Sequence, residues 1–402
     1  MSKTYDVMIV GAGVIGSALA LDLAKQGYSV ALLDAHNPSF SLTNPERVIA
    51  LNEGSKCYLD NLGAWQDIVA QGAGWIKHIT VREPSNMGAV EMSHAELENA
   101  QALGYVLEVR HVLAPIQQQF TDNITTLYGV RCLGFSQNEH GVTLQLADDA
   151  NVQTIHASLL VGADGTNSFV RQYAGIQTSG WDHNRIGIVA SIQSELGHHD
   201  TAYECFKEGG PLALLPLADG RFSLVWSVAP KMGVELLGLS DDGFMRTLQR
   251  EIGEEISQHV GEFVSLGKRA SFPLELRIAK SFAQGRVLLA GNAAHTIHPI
   301  AGQGMNLGLR DVAVLGDVLR QDWAKQDLSK LLIGQTYAER RRLDTSAVVG
   351  FTEGVLQAFS SSLLPQRWLR GKGLDVVERM PVFKHLLLEQ AAGVGKIKGL
   401  KT

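Results

Sequence analysis

The chain opens on an apolar run, Tyr5 to Val10, too short for a stable helix and apolar on both faces, as a strand inside a parallel sheet would be. Ser17 to Gln26 then carries Ala18, Leu19, Leu21 and Leu23 as a helix, with Gly27 placed to end it. A second buried strand, Ser29 to Leu33, finishes at Asp34, and two similar runs recur far along the chain at Leu159–Ala163 and Arg286–Ala290. Between those two the pattern changes. Arg185 to Gln193 alternates around Ile186, Ile188 and Ala190, and short strands are expected over 202–206, 212–217 and 222–228, with Ala218-Asp219-Gly220 as a hairpin turn. That predicts an antiparallel sheet. Ser240 to Ile256 reads as a helix with Ser240 as its N-cap, and helices are expected over 302–320, 328–347 and much of 365–390.

Chemistry enters at the first turn. Between the first strand and its helix stands Gly11-Ala12-Gly13-Val14-Ile15-Gly16, a G-x-G-x-x-G, with Asp34 closing the second strand. That context marks a dinucleotide site. Gly11 permits the tight turn, Gly13 lets the backbone approach a pyrophosphate, and Gly16 lets helix and strand pack closely. The helix N-terminus offers free N–H groups to the phosphates, and Asp34 suits the adenosine ribose hydroxyls. These residues alone do not choose between FAD and NAD.

Composition narrows the class. A chain of 402 residues exceeds one ordinary core, so two joined domains are expected. With 45% apolar and 19% charged residues and a net charge of −6, no nucleic-acid partner is indicated. Cys57, Cys132 and Cys205 have neither disulfide nor zinc spacing. His295 and His298 stand three apart without a third ligand, and no metal is expected. No secretory signal or apolar run of about 18 residues is seen, so a cytoplasmic protein without a membrane-spanning helix is expected. Residues 365–402 differ from the rest, with eight Lys/Arg against three acids, interleaved with Trp368, Leu369, Phe383 and Leu386–Leu388. That composition suits a solvated helix, a partner-docking segment, or peripheral contact on the inner face of the cytoplasmic membrane.

Two further segments carry a resemblance. Asp164-Gly165-Thr166-Asn167-Ser168-Phe169-Val170-Arg171 follows one buried strand, and Gly291-Asn292-Ala293-Ala294-His295 through Pro299, Gly302, Gln303, Gly304, Met305 and Asn306 follows another. With Arg47, they resemble the FAD motifs of the group A flavoprotein aromatic monooxygenases over residues 5 to about 310. With Gly210–Leu217 and Asn292 added, the chain is most similar to the ubiquinone-biosynthesis hydroxylases, and among these to the 2-polyprenyl-6-methoxyphenol hydroxylases. Asn292 stands where the commoner motif has Asp; its amide can both donate and accept.

The resemblance implies an α/β fold: a Rossmann-like FAD-binding domain, an inserted antiparallel β-sheet substrate domain and a helical C-terminal region. The boundaries expected are 1–180 with 270–345 for the FAD domain, 181–269 for the substrate domain joined by part of 60–110, and 346–402 for the C-terminal region. It implies FAD held by Gly11, Gly13, Gly16, Asp34, Arg47, Asp164, Gly165, Gly291, Asn292, Pro299, Gly302, Gln303, Gly304, Met305 and Asn306. It also implies O2 as co-substrate, NAD(P)H as electron donor, and ring hydroxylation of a polyprenylated phenol through a flavin C4a-hydroperoxide, converting 2-polyprenyl-6-methoxyphenol to the 1,4-benzoquinol. A quinone-biosynthesis enzyme assembly is an implied partner. Pro299 and His298 are the flavin-adjacent candidates, no catalytic acid or base being identified. Tyr203, Phe206, Leu214, Pro216 and Trp226 are the substrate-pocket candidates, against the alternative that strand aromatics are plain core. Another ring position, a different FAD oxidoreductase (an amine oxidase, a halogenase or an isoprenoid reductase), and a flavin-bearing scaffold without catalysis remain open readings.

Overall fold

The computed structural model describes residues 3–37, 47–82, 89–97, 100–148, 151–207, 209–299 and 302–360, with side chains of the last helix to 357. The basic segment 365–402, expected to be helical over much of 365–390 and read as a solvated helix, a partner-docking segment or a membrane contact, lies outside the described residues.

The apolar runs form a mixed eight-stranded sheet. Its parallel centre has the order Val287–Leu289, Val152–Gly162, Thr4–Val10, Val30–Asp34, Ile124–Tyr128. Strand Thr4–Val10 sits in the middle, and Val7, Met8 and Ile9 are wholly buried. The helix after the glycine turn, Val14–Lys25, has nearly every side chain buried because Gln303–Arg320 packs across it. Gly27, with φ of +93°, reverses the chain after that helix as expected.

A second sheet of nine strands is mainly antiparallel. Its spine runs Ala270–Ala279, Thr178–Ser194, Phe222–Val228, Leu212–Pro216, Thr201–Cys205. His78–Arg82 adds to the Thr201–Cys205 edge in parallel, followed by Ala89–Ser93. Ile188, Tyr203, Leu214, Leu224 and Trp226 point to one face and pack on Phe244, Leu248 and Ile252 of the helix Asp241–Ile252. A three-stranded sheet, Val48–Asn52, Gly104–Glu108 and Gly74–Ile76, lies between the segments that feed the two larger ones.

Three elements differ from expectation. The helix from Ser240, whose hydroxyl accepts from the Gly243 N–H at 3.2 Å, stops at Gly253, and a second helix runs Glu254–Val260. Gly253 has φ of +86°, which the helical composition on either side conceals. Strand Thr178–Ser194 begins well before Arg185, with an irregularity between Asp182 and Arg185 where Asn184 takes φ of +51°. Its alternation is broken there, which hid the first half. The last helix runs Leu332–Ser360, beyond the expected 347. Among the described residues no helix is long and apolar enough to cross a membrane.

Candidate active site

The first motif has the geometry that its glycines demand. A Cβ on Gly11 (φ +108°) would lie 2.3 Å from the Ala163 carbonyl oxygen, and one on Gly16 would lie 1.8 Å from that of Gly11. Gly13 is different: nothing lies within 4 Å of where its Cβ would be. The turn is therefore closed at two glycines and open at the middle one. Helix Val14–Lys25 starts at Gly13 without a side-chain cap, so its leading N–H groups face that opening. Asp34, at the tip of its strand, accepts from the Ala12 N–H (2.8 Å) and the His36 N–H (2.9 Å), which leaves further lone pairs for a ribose.

The other two motifs meet each other. Asp164 accepts from the Ser168 hydroxyl (2.5 Å) and the Val170 N–H (3.1 Å). Burial pushes its carboxyl above the usual range while these bonds pull it down. Gly165, at φ +83°, has open space where a Cβ would point. Arg171, 3% exposed, donates to the carbonyls of Thr166 and Ala293, both at 2.8 Å. It joins the segment after the second motif's aspartate to the segment after Gly291. Burial lowers its pKa, so the guanidinium is a strut between two loops. Asn292 is exposed; its amide reaches the Thr166 hydroxyl at 3.5 Å, and Thr296 donates to the same hydroxyl at 3.1 Å.

Behind that loop lies a buried anchor. Asp311, fully buried, takes the His295 Nε2 at 2.6 Å, the Gly291 N–H at 2.7 Å and the Arg341 Nε at 2.5 Å. Arg341 continues to Asp344 (2.6 Å), which also receives Arg310 (2.7 Å). Burial alone would push the Asp311 carboxyl up, but His295 and Arg341 hold it below the usual range. His295 is thereby engaged with a carboxylate, and among the described residues no group of three or more His, Cys, Asp or Glu is placed to hold a metal ion.

The turn after His298 leads through Pro299 to Gly302, which has φ of +60° and would meet the Ala50 Cβ at 2.6 Å if it carried its own. Helix Gln303–Arg320 then begins without a side-chain cap or a first-turn acid. Space around Gly304 is open, the nearest atom to a Cβ there being Ile297 Cγ1 at 3.9 Å. An uncapped helix end beside glycines suits an electron-rich flavin edge. Met305 is half-buried and packs on the main core. The Asn306 side chain is spent on protein: Oδ1 accepts from the Asn52 N–H (2.9 Å) and the Ser55 hydroxyl (2.6 Å), and Nδ2 donates to Ala50 and Gly302. Arg47 has an exposed side chain, and its carbonyl accepts from the Val109 N–H at 2.8 Å.

The group the motifs imply fits these residues. Gly13, Gly165 and Gly304 open where the others close, two helix N-termini are uncapped, and Asp34 keeps accepting capacity. FAD bound here supplies the redox chemistry, and the chain supplies placement.

Of the substrate candidates from the sequence, Phe206 lines the pocket described below, and the other four fall on the far side of the antiparallel sheet. Tyr203, Leu214 and Trp226 are at most 5% exposed and belong to the face covered by helix Asp241–Ile252. Pro216 is buried at the end of the same strand as Leu214, paired with Phe222. Alternation puts their strand neighbours on the opposite face. There Glu204, Ala213, Val225, Ser227 and Gly187 line a pocket closed by His298 and Pro299. Its wall is apolar, yet among the described residues the Ser227 hydroxyl and both ring nitrogens of His298 are buried without a hydrogen-bond partner. Among the described residues nothing donates to the Glu204 carboxyl. Burial pushes Glu204 up to about 7. Burial, with His183 and Arg185 nearby, pushes the His298 imidazole down to about 3, so the ring is neutral. His183 meets His298 edge to face at 5.4 Å between centroids and lies 3.5 Å from Glu353 of the last helix.

Sequence reasoning did not find Glu204, Ser227, Arg171 as a strut, or the Asp311–Arg341 anchor. An acid in mid-strand opposite core positions reads as solvent-facing until something covers that face. The signal available was Glu204 standing one residue from Tyr203.

The model of the "FAD binding domain" family matches residues 4–352. The chain is 33% identical to the ubiquinone hydroxylase UbiL of Rhodospirillum rubrum, over 98% of this chain and 91% of that one. It is 32% identical to the 3-demethoxyubiquinol 3-hydroxylase of Escherichia coli, over 98% and 100%. The crystal structure of the p-nitrophenol 4-monooxygenase PnpA from Pseudomonas putida superposes with a TM-score of 0.79 at 20% identity, covering all of both chains, which shows the shared fold. Fold, motifs and relatives agree that this is an FAD-dependent monooxygenase, using O2 and a reduced nicotinamide, and the chain belongs to the FAD-binding-domain family alongside the ubiquinone-biosynthesis hydroxylases.

Proposed function

We propose that the chain hydroxylates the aromatic ring of a polyprenylated phenol in ubiquinone synthesis, converting 2-polyprenyl-6-methoxyphenol to the 1,4-benzoquinol. The observation that carries this is the pocket at Pro299. It is an apolar slot with three polar side chains, Glu204, Ser227 and His298, whose polar atoms have no protein hydrogen bond among the described residues. Buried polar atoms such as Ser227 Oγ and the His298 nitrogens are rarely left so in a finished core, and Glu204 is half-buried beside them; a phenolic hydroxyl with an ortho methoxy group answers them once the cavity, about 30 Å³ as it stands, opens to admit the ring.

The residues' tasks follow from position. Gly11, Gly13, Gly16 and Asp34 hold the adenosine diphosphate end of FAD, with Arg47, Asp164, Gly165 and Asn292 along its length. The uncapped helix at Gln303 faces the flavin ring, with Gly291, Gly302, Gly304, Met305 and Asn306 shaping the approach. The Val225 and Ala213 wall excludes water from the reacting ring, because water there diverts reduced flavin to hydrogen peroxide. By the same reading the substrate domain is the antiparallel sheet with strands His78–Arg82 and Ala89–Ser93; the expected boundaries at 181 and 269 fall inside or beside its strands Thr178–Ser194 and Ala270–Ala279, and the FAD domain resumes after them. Residues 365–402 bring the protein to lipid or to a quinone-biosynthesis assembly; vesicle binding unchanged by their removal would refute the lipid role.

A second reading has one observation in its favour. The relative from Escherichia coli is a 3-demethoxyubiquinol 3-hydroxylase, so a more decorated ring attacked at another carbon is the competitor. Lipid extraction from a strain lacking this gene separates them. Accumulation of unhydroxylated 2-polyprenyl-6-methoxyphenol supports the first reading; accumulation of a demethoxyquinone supports the second.

A further inference from the structure

We propose that Glu204 is the acid–base residue of the reaction: it accepts the phenolic proton of the substrate from its place on the pocket face of the antiparallel sheet. This rests on the proposed phenol hydroxylation and adds to it the group that the sequence did not identify. Glu204 sits on strand Thr201–Cys205, paired with Ala213. It lines the same pocket as Ser227, His298 and Pro299. Its neighbours Tyr203 and Cys205 point the other way, into the helix-covered core.

The surroundings decide what the carboxyl can do. Among the described residues no cation or N–H holds Glu204 in its charged form. The titratable groups around the pocket are His298 and, behind it, His183, Arg185 and Glu353. His298 is neutral at working pH, so it can pair with a phenol oxygen but is a poor base. Arg185 donates to the Gly209 carbonyl at 2.6 Å. Lys207, two residues along, is paired with Glu251 at 2.9 Å. Desolvation lifts the Glu204 carboxyl to about 7 from its ordinary 4.5. A phenol's pKa is about 10, so the lift makes Glu204 several hundredfold stronger as a base toward it, while leaving it ionised at or above neutrality.

The step balances simply. The phenol O–H bond breaks, its electron pair stays on oxygen and raises electron density in the ring, and the proton goes to a Glu204 carboxylate oxygen. The oxygen atom comes from O2 and the two further electrons from NAD(P)H, as the monooxygenase activity supplies. Water is the co-product, and Glu204 returns its proton to solvent or product before the next turnover.

The test uses FAD-loaded enzyme with NAD(P)H, O2 and 2-prenyl-6-methoxyphenol. Glu204→Gln is expected to lower hydroxylated product formation about 100-fold or more, retain FAD, and release hydrogen peroxide for the NAD(P)H it consumes. The acid limb of kcat/KM near pH 7 should vanish in Glu204→Gln and survive, displaced, in Glu204→Asp. Equilibrium binding to oxidised enzyme is the second measurement, comparing the phenol with its methyl ether. Wild type should favour the phenol more as pH rises through 7, and Glu204→Gln should show no such rise. Wild-type rate and acid limb in Glu204→Gln would overturn the assignment. If wild-type enzyme makes no hydroxylated product, the proposed function fails by itself, and the binding comparison judges Glu204: pH-dependent preference lost in the variant upholds it, and unchanged or absent phenol binding overturns it.

Discussion

The cofactor side and the substrate side of this site are built on opposite plans. The cofactor side is made of backbone. Glycines at 11, 13, 16, 165 and 302 form its turns, helix ends supply its charge, and every buried side chain that supports it, Arg171, His295, Asp311, Arg341 and Asn306, is bonded to protein. The proposed substrate side is made of side chains from several strands of one sheet, and among the described residues its polar atoms at Ser227 and His298 have no partners. On the cofactor side each of those supporting side chains holds at least one protein partner, with His295 Nδ1 the atom left over among the described residues; on the substrate side Ser227 Oγ and both His298 nitrogens hold none. A cofactor that stays bound needs a rigid frame, whereas a substrate that must be gripped and released can supply the missing hydrogen bonds itself.

Breaking the backbone side should have the largest effect. Gly16→Val drives a side chain into the Gly11 carbonyl, which cannot move without losing the turn. The expected result is purified protein without flavin absorbance, or none folded. Next comes the anchor. Asp311→Asn removes a buried charge between His295 and Arg341 and should cost about 3–5 kcal/mol, seen as a lower denaturation midpoint and weaker FAD retention. The Asp311 pKa is depressed in the folded state. Its contribution is therefore present above the unfolded carboxylate range near 4 and is lost only as pH falls through the folded value.

Adjacent residues on one strand separate the two faces. Leu214→Ala should cost about 2–5 kcal/mol of stability with KM for the phenol unchanged, because Leu214 faces the covered core. Ala213→Leu, one residue away, should raise that KM at least about tenfold, since a branched side chain fills space that the ring needs, with stability and FAD content near wild type. If both variants behaved alike, the assignment of faces would be wrong.

The effect of Glu204 on folding has the least usual sign. Glu204 is raised to about 7 from 4.5 in the folded chain. A raised folded pKa means that stability is lost as pH climbs from the unfolded value through the folded one, amounting to about 3 kcal/mol at most above pH 7. Glu204→Gln should therefore be more stable than wild type at pH 8 and little different at pH 4.5, by denaturant titration of the apoprotein. A functional group kept at a cost in stability has this signature.

How much of this could be read in the sequence depends on whether a feature is local. The turn at Gly11–Gly16, the helix after it, Asp34, and the loops at 164–171 and 291–299 are short stretches whose residue types follow from their own backbone, so the fold and the choice of FAD were legible there. The Ser240 cap was legible for the same reason, and the break at Gly253 was not, since one glycine in a helical composition is ambiguous. The substrate side depends on which face of Leu212–Pro216 and Thr201–Cys205 is covered by helix Asp241–Ile252, and no short stretch encodes that. Tyr203 and Trp226 drew attention by size, and size marks core; Glu204 was hidden because an acid on a strand ordinarily faces water. The His183–Glu353 contact joins positions 170 residues apart, on a strand and a helix that both outran their sequence patterns.

Single-turnover oxidation tests the central claim most directly. FAD-loaded enzyme is reduced without oxygen, then mixed with O2 and 2-prenyl-6-methoxyphenol, and product and peroxide are counted against flavin. The account predicts close to one hydroxylated ring per flavin and little peroxide. Stoichiometric peroxide with the phenol bound and unchanged would contradict it.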